Sequence, residues 1–506
     1  MSDDSVRDAL RADHALVVVE APAGCGKTHQ GADYARELVD RLGHGRPLIL
    51  THTHAACSVF ADRTKGAGTK VEIRTIDSII ANVAAAYHVG LGIPADTAAW
   101  VRGQDEGYAL LAQKVALLLA RYPMIASALA RRYPVVICDE HQDSSGDQHT
   151  IVMAMLAAGA KVRVFADPMQ SIFRDKSVAG SNPQWDWAAL RAKAHACDEL
   201  DFPHRWKESC PDLGIWTLAA RRSLLNDHPI DLRTGLPSSL DVVVAENRAQ
   251  SNLQYALSKG DRAPIDRFAD DDTSLLILTR YNQTAGSFRG FFGRRVPLWE
   301  GHTRSALETL VDGMNAAKGN SAGLADTIVS FMGKVGKGFS PSSFGNAFVQ
   351  EATEDCTKAR KGKPATIQSL ARYLVDDPSH RGVAKCLARI AELRKADAAF
   401  ADVEIDHHSE FRDAIRLGDY EDTYEGLAEI THHRTYTRPR PPRKAISTIH
   451  KAKGLECDSV IVMPCDAQTF PGIREARCLL YVALSRATKR LMLVVSREKP
   501  SPLFLM

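Results

Sequence analysis

Residues 16–28 read LVVVEAPAGCGKT, and this stretch decides the fold of the chain. Its apolar, β-branched beginning predicts a buried strand, which leads into a loop of small residues and then into a helix that begins near Lys27. Glycines let successive backbone N–H groups point at one anion, and the start of a helix adds the positive end of its dipole. The stretch therefore predicts a phosphate cradle formed by Ala23, Gly24, Cys25, Gly26, Lys27, Thr28 and His29.

The polar side chains of this loop indicate a nucleoside triphosphate bound with Mg²⁺. Lys27 is suited to the β- and γ-phosphates, and the Thr28 hydroxyl is suited to the metal ion. The strict pattern has glycine at its first position, where this chain has Ala21. A glycine-rich turn with a purely structural role is the alternative, and the agreement of the strand, loop and helix signals favours the phosphate site.

Length and composition indicate a multidomain globular protein of the cytoplasm. With 506 residues, we expect roughly two to four domains. The net charge of +3 means that any nucleic-acid contact depends on local patches. The 10 cysteines include no C-x-x-C pair, which disfavours zinc and iron–sulfur sites and suggests a reducing compartment. No apolar run approaches the roughly 18 residues of a membrane span, so we expect neither secretion nor membrane insertion.

Further apolar runs predict parallel strands that each end in polar residues: 47–50, 71–74, 133–138 and 162–166. The carboxyl ends of parallel strands meet at the edge of the sheet where ligands bind. Asp139 and Glu140 follow one of these strands. We expect Asp139 to hold Mg²⁺ through water and Glu140 to polarise the attacking water. A solvated acidic turn is the alternative for this pair.

The series APAGCGKT, THTHAA, TIDSI, DEHQD, ADPMQSIF, PHRW, STIHKAKGLE and YVALSRA resembles, in order and spacing, the motifs of UvrD/Rep-like helicases of superfamily 1. The resemblance extends from about residue 5 to residue 495. It implies an α/β fold with two RecA-like P-loop NTPase domains that have parallel sheets, each carrying a mainly helical insertion. It also implies that one ATP binds between the domains and that the protein tracks single-stranded DNA, generally 3′ to 5′.

The resemblance divides the chain into four parts. The first RecA-like domain is expected over 1–80 and 133–200, with its helical insertion over 81–132. The second is expected over 201–300 and 434–506, with its mainly helical insertion over 301–433. Within this second insertion, a basic run at Lys358, Arg360, Lys361 and Lys363 could touch DNA, although a solvated loop is the commoner explanation. Residues 434–444, RTYTRPRPPRK, predict an extended connector back into the second domain.

The resemblance also implies roles for residues outside the phosphate loop. Gln170 would sense the γ-phosphate and couple it to the DNA track, and Arg205 and Arg486 would stabilise the transition state from the second domain. Gly454 is expected near the phosphates and Glu456 at the ribose. The residues expected at the DNA are Thr51, His52, Thr75, Phe173, Thr448 and His450.

Three positions depart from the family pattern. The glutamine that usually reads the adenine edge, about 21 residues before the phosphate-loop lysine, is Val6 here, so we predict relaxed preference among nucleoside triphosphates. THTHAA lacks the usual aromatic and asparagine, which leaves His52 as the stacking platform. The Trp-Arg-Gly-Ala segment expected after Phe173 is also missing, so duplex unwinding follows from the motifs less directly than ATP hydrolysis does.

Two functions remain open from the sequence. The first is an ATP-dependent, DNA-stimulated translocase or helicase acting on single-stranded or tailed duplex DNA. The second is a DNA-end-sensing regulatory NTPase with little unwinding, which works with a separate nuclease in phage defence. The compact chain and the absence of a recognisable nuclease domain resemble the small UvrD-like subunit of Gabija-type systems, which pairs with an OLD-family nuclease.

Overall fold

The computed structural model describes residues 2–173, 178–250, 254–299, 305–424, 426–427, 430 and 442–506. The chain divides into two compact units, of which the first comprises Met1–Phe291 and Thr448–Met506 and the second comprises Phe292–Ser447. The first unit contains two larger parallel sheets with helices around them, so the predicted α/β fold is confirmed.

Within the described residues, six parallel strands form the first sheet, in the order β3-β2-β4-β5-β1-β6. They are β1 (Leu16–Glu20), β2 (Leu48–Thr51), β3 (Glu72–Thr75), β4 (Val135–Cys138), β5 (Lys161–Ala166) and β6 (Ala196–Glu199). All residues of β1, β2 and β4 are buried, as expected for strands with helices on both faces. The strands predicted around residues 16, 48, 72, 135 and 162 are therefore confirmed.

Helices cover both faces of the first sheet. They are α1 (Ser2–Arg11), α2 (Lys27–Arg41), α3 (His54–Arg63), α4 (Ile76–Ala86), α5 (His88–Leu91), α6 (Thr97–Arg102), α7 (Gly107–Arg121), α8 (Pro123–Arg132), α9 (Gly146–Ala157) and α10 (Trp187–Lys193). Because side chains alternate along a strand, Val17 and Val19 pack with α1 and α2, whereas Leu16 and Val18 pack with α4, α7 and α9. The helices within 81–132, the predicted insertion, thus share one core with the sheet.

The second sheet of the first unit joins parallel strands in the order β9-β13-β14-β8. Its strands are β8 (Leu240–Ala245), β9 (Leu275–Thr279), β13 (Cys457–Cys465) and β14 (Ala487–Ser496). The neighbouring helices are α11 (Pro211–Leu225), α12 (Lys259–Asp271), α13 (Asn282–Phe291) and α20 (Arg474–Leu484). A small parallel pair, β7 (Ile230–Asp231) and β15 (Phe504–Leu505), lies beside them in the chain's first unit.

The second unit is mainly helical, and its helices bury one apolar cluster. Its elements are α14 (Ser305–Ala316), α15 (Ser321–Val335), α16 (Asn346–Thr353), α17 (Lys363–Asp376), α18 (His380–Ala396), α19 (His408–Arg416) and the antiparallel pair β10 (Gly336–Lys337) and β11 (Glu404–Ile405). Strand β12 (Lys444–Thr448) crosses the boundary between the units. The predicted insertion over 301–433 falls within this unit, and the predicted connector lies outside the described residues up to residue 441. The four-part division of the chain stays a prediction.

The basic run of the second unit is largely paired with carboxylates of the same unit. Arg360 Nε lies 2.6 Å from Glu351 Oε1, and Lys358 Nζ lies 2.7 Å from Glu354 Oε2. Lys363 Nζ lies over the Phe344 ring, 4.1 Å from its centre. These contacts favour the structural explanation of the run over a dedicated DNA contact.

Among the described residues, no single helix is long and apolar enough to cross a membrane. One bent pair, Gly107–Arg121 with Pro123–Arg132, passes the same test of length and composition, with an angle of 101° between its helices.

Candidate active site

The phosphate loop joins β1 to α2, and the helix begins at Lys27 as predicted. Gly24 and Gly26 have φ angles of +76° and +87°, a left-handed conformation that favours glycine. A Cβ atom at Gly24 would also lie 2.7 Å from Cζ3 of Trp206. Both the backbone conformation and the close packing therefore require glycine at this position, which leaves the loop open for backbone contacts with an anion.

Lys27 lies at the centre of a cluster of opposite charges. Its ammonium group forms an ion pair with Oε1 of Glu140 and lies 3.9 Å from Oδ1 of Asp139. Burial lowers the pKa of Lys27 and raises the pKa of Asp139, and each group opposes the shift of the other. The cluster thus has a cation in a poorly solvated place, where the charge of a phosphate group is bound more strongly than in water.

The donor set at this edge of the first sheet fits a magnesium ion. Within the described part of the chain, Oδ1 of Asp139 is buried and accepts no hydrogen bond. Thr28 follows Lys27 in the first turn of α2 and brings a hydroxyl to the same loop. Carboxylate and hydroxyl oxygens are hard ligands of the kind that Mg²⁺ prefers. Asp139 and Thr28 are therefore the residues that would hold the ion.

Gln142 and Asp167 connect the predicted catalytic residues, although the sequence analysis did not select them. Nε2 of Gln142 donates a hydrogen bond to Oε2 of Glu140, and its Oε1 accepts one from the backbone N–H of Asp167 at 3.0 Å. Oδ2 of Asp167 accepts a hydrogen bond from Nε2 of Gln170 at 2.9 Å. Glu140 and Gln170 are thus brought together through two intermediates. Both intermediates belong to quoted motifs, DEHQD and ADPMQSIF, and their polarity at strand ends was the available signal.

Arg205 packs directly on the phosphate loop. Its backbone N–H donates to the carbonyl of Gly24 at 3.1 Å, and its Nη1 donates to the carbonyl of Ser485 at 2.6 Å. Its Nη2 donates to Oε1 of Glu456 at 2.6 Å, so the carboxylate expected at the ribose is paired with this arginine. The structure therefore brings Arg205, Glu456 and the phosphate loop together.

Arg486 is buried, with 2% of its surface exposed, and its guanidinium caps the end of α20. It donates to the carbonyls of Val482 and Leu455, at 3.0 and 3.1 Å, and to the hydroxyl of Ser485 at 2.8 Å. Burial, together with the nearby charge of Arg205, lowers the pKa of Arg486 to about 9. Its predicted role as an arginine finger therefore requires these hydrogen bonds to be exchanged for contacts with phosphate.

The loop that contains Gly454 and Glu456 reaches the first sheet through Lys453, a residue that sequence reasoning missed. Nζ of Lys453 donates to both carboxylate oxygens of Asp143, at 2.7 and 2.6 Å, and to the carbonyl of Gln170 at 2.7 Å. It also lies 5.0 Å from the centre of the Phe173 ring. Gly454 follows with a φ angle of +83°, so the chain turns sharply after this contact.

The residues predicted at the DNA differ in how far they are available to a ligand. Phe173 is 54% exposed, and its ring centre lies 6.3 Å from that of His450, so these two predicted residues share one surface. Nε2 of His52 is hydrogen-bonded to the hydroxyl of Ser144 at 3.1 Å. The threonines are buried: Thr51 donates to the carbonyl of Thr53, Thr75 caps α4 by accepting from Ser78, and Thr448 is 5% exposed. Phe173 and His450 are thus the members of the set with the clearest stacking surface.

Two family matches cover separate parts of the chain. Residues 97–177 match the UvrD/REP helicase N-terminal domain, and residues 367–498 match the UvrD-like helicase C-terminal domain. No curated protein matches the chain. The first match includes Asp139, Glu140 and Gln170, and the second includes Lys453 and Arg486.

Proposed function

We propose that this chain, which belongs to the UvrD/Rep-like superfamily 1 helicases, is a Mg²⁺-dependent, DNA-stimulated motor that moves 3′ to 5′ on single-stranded DNA. The members of this family are ATP-hydrolysing DNA helicases. The observation that carries the proposal is the convergence of Lys27, Asp139 and Glu140 at the phosphate loop, with Arg205 packed against the same loop. Such a cluster supplies a phosphate-binding cation, metal ligands and a general base.

The hydrolytic step follows from the contacts of Glu140 and Lys27. When ATP binds, its phosphates take the ammonium group of Lys27 away from Glu140, and the carboxylate becomes free to accept a proton from water. Gln142 keeps hold of the other carboxylate oxygen and so preserves its orientation. Mg²⁺, when bound, neutralises phosphate charge. Arg205, which already lies at the loop, stabilises the negative charge that develops during phosphoryl transfer.

Stimulation by DNA is supported by the contacts of Lys453. This one side chain touches Asp143 and the carbonyl of Gln170 at the hydrolytic site and lies over Phe173 on the exposed surface. A base that stacks on Phe173 and His450 therefore moves a group that is hydrogen-bonded beside the γ-phosphate sensor. We therefore expect the binding of DNA and the position of Gln170 to be coupled through Lys453.

The proposal is tested by measuring ATP hydrolysis with and without single-stranded DNA, for the wild type and for Lys27→Ala. We expect hydrolysis that requires Mg²⁺ and rises with DNA, and loss of turnover in the variant while its circular dichroism spectrum stays native. Full activity in Lys27→Ala, or a wild-type rate that DNA does not change, contradicts the proposal.

A second proposed function is a regulatory NTPase that senses DNA ends beside a separate nuclease of the OLD-family type. The observation in its favour is the sequence RDKSVAGS after Phe173, which replaces the Trp-Arg-Gly-Ala segment. ATP hydrolysis by the isolated chain without displacement of a strand supports this function over the motor. For either function we propose a cytoplasmic location, on the ground of the cysteine pattern.

A further inference from the structure

Arg221 of α11 is a buried cation, 1% exposed, that pairs with three carboxylates at the carboxyl ends of strands in the first sheet: Glu20, Asp167 and, at 3.5 Å, Glu199. Its Nε and Nη2 donate to Oδ1 of Asp167, at 3.1 and 2.8 Å, and Nη2 also donates to Oε1 of Glu20 at 2.5 Å. Glu20 ends β1 immediately before the phosphate loop, and Asp167 follows β5. Arg221 therefore links the two strand ends that border the hydrolytic site.

The same guanidinium is stacked near Tyr481 of α20, 5.9 Å from the centre of the ring. The Tyr481 hydroxyl accepts a hydrogen bond from the backbone N–H of Ala23 at 2.8 Å. The cluster thus joins the phosphate loop, the end of β5 and a helix beside the second sheet.

Stability alone is a weak explanation for this cluster. Burial acts to lower the pKa of Arg221, but the carboxylates of Asp167 and Glu20 outweigh it and raise the pKa, so the side chain stays charged. Burying such charges carries a desolvation cost that well-packed apolar side chains would avoid. A buried ion cluster fixes orientations more strictly than an apolar contact, because each fork of the guanidinium has a defined partner.

This ion cluster fixes the orientation of the Asp167 carboxylate. Its Oδ1 accepts hydrogen bonds from Arg221 and from the backbone N–H of Met169, the latter at 3.1 Å, and its Oδ2 is directed at Nε2 of Gln170. Its backbone N–H is bound by Gln142, the residue that also holds Glu140. Gln170 itself is 3% exposed, and two successive hydrogen bonds, through the Asp167 carboxylate, connect it to Arg221.

We propose that Arg221 is a positioning residue for ATP hydrolysis: by fixing the Asp167 carboxylate, it holds the Gln170 side chain where a γ-phosphate will lie. This inference rests on the proposed function, since Gln170 must act at the γ-phosphate for its position to matter. Arg221 touches neither ATP nor water in this scheme, so its loss slows the hydrolytic step and leaves the binding of ATP nearly unchanged.

The test is steady-state hydrolysis by Arg221→Lys, which keeps the charge but loses the fork that grips Asp167. We expect kcat to fall about 10- to 100-fold while KM for ATP stays within about threefold. The matched control is Arg163→Lys. Arg163 is another fully buried arginine of the first sheet, and it donates to the backbone carbonyls of Leu10, Ala12 and His14. The control should lose stability comparably and keep its kcat.

A double variant separates positioning from a general structural defect. If Arg221 acts through Gln170, Arg221→Lys combined with Gln170→Ala is no slower than Gln170→Ala alone, whereas independent defects multiply. Should Arg221→Lys fail to fold, Asp167→Asn replaces it, because an asparagine still accepts from Arg221 but presents an amide nitrogen to Gln170.

The outcomes distinguish this inference from the function on which it rests. A kcat of Arg221→Lys equal to that of Arg163→Lys, multiplicative effects in the double variant, or full kcat in a folded Asp167→Asn overturns the positioning role. A wild-type protein without ATP hydrolysis overturns the proposed function itself.

Discussion

Replacement of Glu140 by glutamine is expected to separate ATP binding from ATP hydrolysis. Glutamine keeps the size of the side chain and its hydrogen bond with Gln142 but cannot take a proton from water. Removing a general base typically costs about 10²- to 10⁴-fold in rate. We therefore expect kcat to fall by at least about 100-fold.

The binding of ATP should strengthen in the same variant. In this structure the Lys27 ammonium group is paired with Glu140, and ATP must break that pair in order to use the lysine. The two side chains are 16% and 24% exposed, so the pair is partly buried and we assign it about 1–2 kcal/mol. Since about 1.4 kcal/mol corresponds to a factor of ten, Kd for ATP should fall about 5- to 30-fold.

The assay is an equilibrium titration with a fluorescent ATP analogue, run beside a phosphate-release assay. Glu37→Gln is the matched control, because Glu37 is also paired with a cation, Arg11, in the first unit. We expect the control to change neither kcat nor Kd. Weaker binding of ATP by Glu140→Gln, or a kcat within threefold of the wild type, would refute the role assigned to the Lys27–Glu140 pair.

Three further predictions concern specificity, DNA and pH. Val6 is fully buried in α1 and offers no amide to a base. The kcat/KM for GTP should therefore lie within about a hundredfold of that for ATP, and a stricter preference for ATP contradicts this prediction. Phe173→Ala should weaken the binding of DNA by about 1–3 kcal/mol, which raises the DNA concentration needed for half-maximal stimulation. Hydrolysis in the absence of DNA should not change. An unchanged DNA affinity argues against a stacking role. Burial lowers the pKa of His149 to about 4, well below the ordinary histidine value of about 6.5, so the folded protein takes up this proton less readily than the unfolded chain. The stability that comes from burying the neutral His149 side chain is therefore present above about pH 6.5 and is lost as the pH falls towards 4. In urea denaturation, the free energy of unfolding should fall less between pH 7 and pH 5 for His149→Gln than for the wild type, and an equal fall contradicts this prediction.

The first sheet and the phosphate loop follow from local sequence. β1 is apolar on both faces because helices cover both faces, and a continuous apolar run is the signature of such a strand. The loop needs glycine where φ is positive, and glycine stands at both positions, Gly24 and Gly26. These features depend on the residue and its neighbours in sequence, which is why motif and pattern were enough to find them.

The direction of a charged side chain depends on partners that are distant in sequence. Arg486 donates to the carbonyls of Val482 and Leu455, and Glu456 accepts from Arg205, 251 positions earlier. The motif identifies the residue type but contains no information about which partner it takes in a given state. The predicted finger and ribose roles for these two residues accordingly stay predictions.

The burial of Arg221, unlike its partners, could have been predicted from the sequence. It lies on the same helical face as Leu213, Thr217 and Leu224, all of them buried, whereas its neighbour Arg222 is exposed. A 3.6-residue period therefore predicts which of the two adjacent arginines is buried. The period could not identify its partners Glu20 and Asp167, because they are distant in sequence, at the carboxyl ends of β1 and β5.

Strand displacement by the isolated chain is the most direct test of a 3′-to-5′ motor. The substrates are two duplexes of equal length and sequence, one with a single-stranded 3′ tail and one with a 5′ tail, each incubated with ATP and Mg²⁺. We expect displacement from the 3′-tailed duplex, little from the 5′-tailed one, and none with Lys27→Ala. Vigorous ATP hydrolysis without displacement from either duplex, or displacement that prefers the 5′ tail, would contradict a 3′-to-5′ motor.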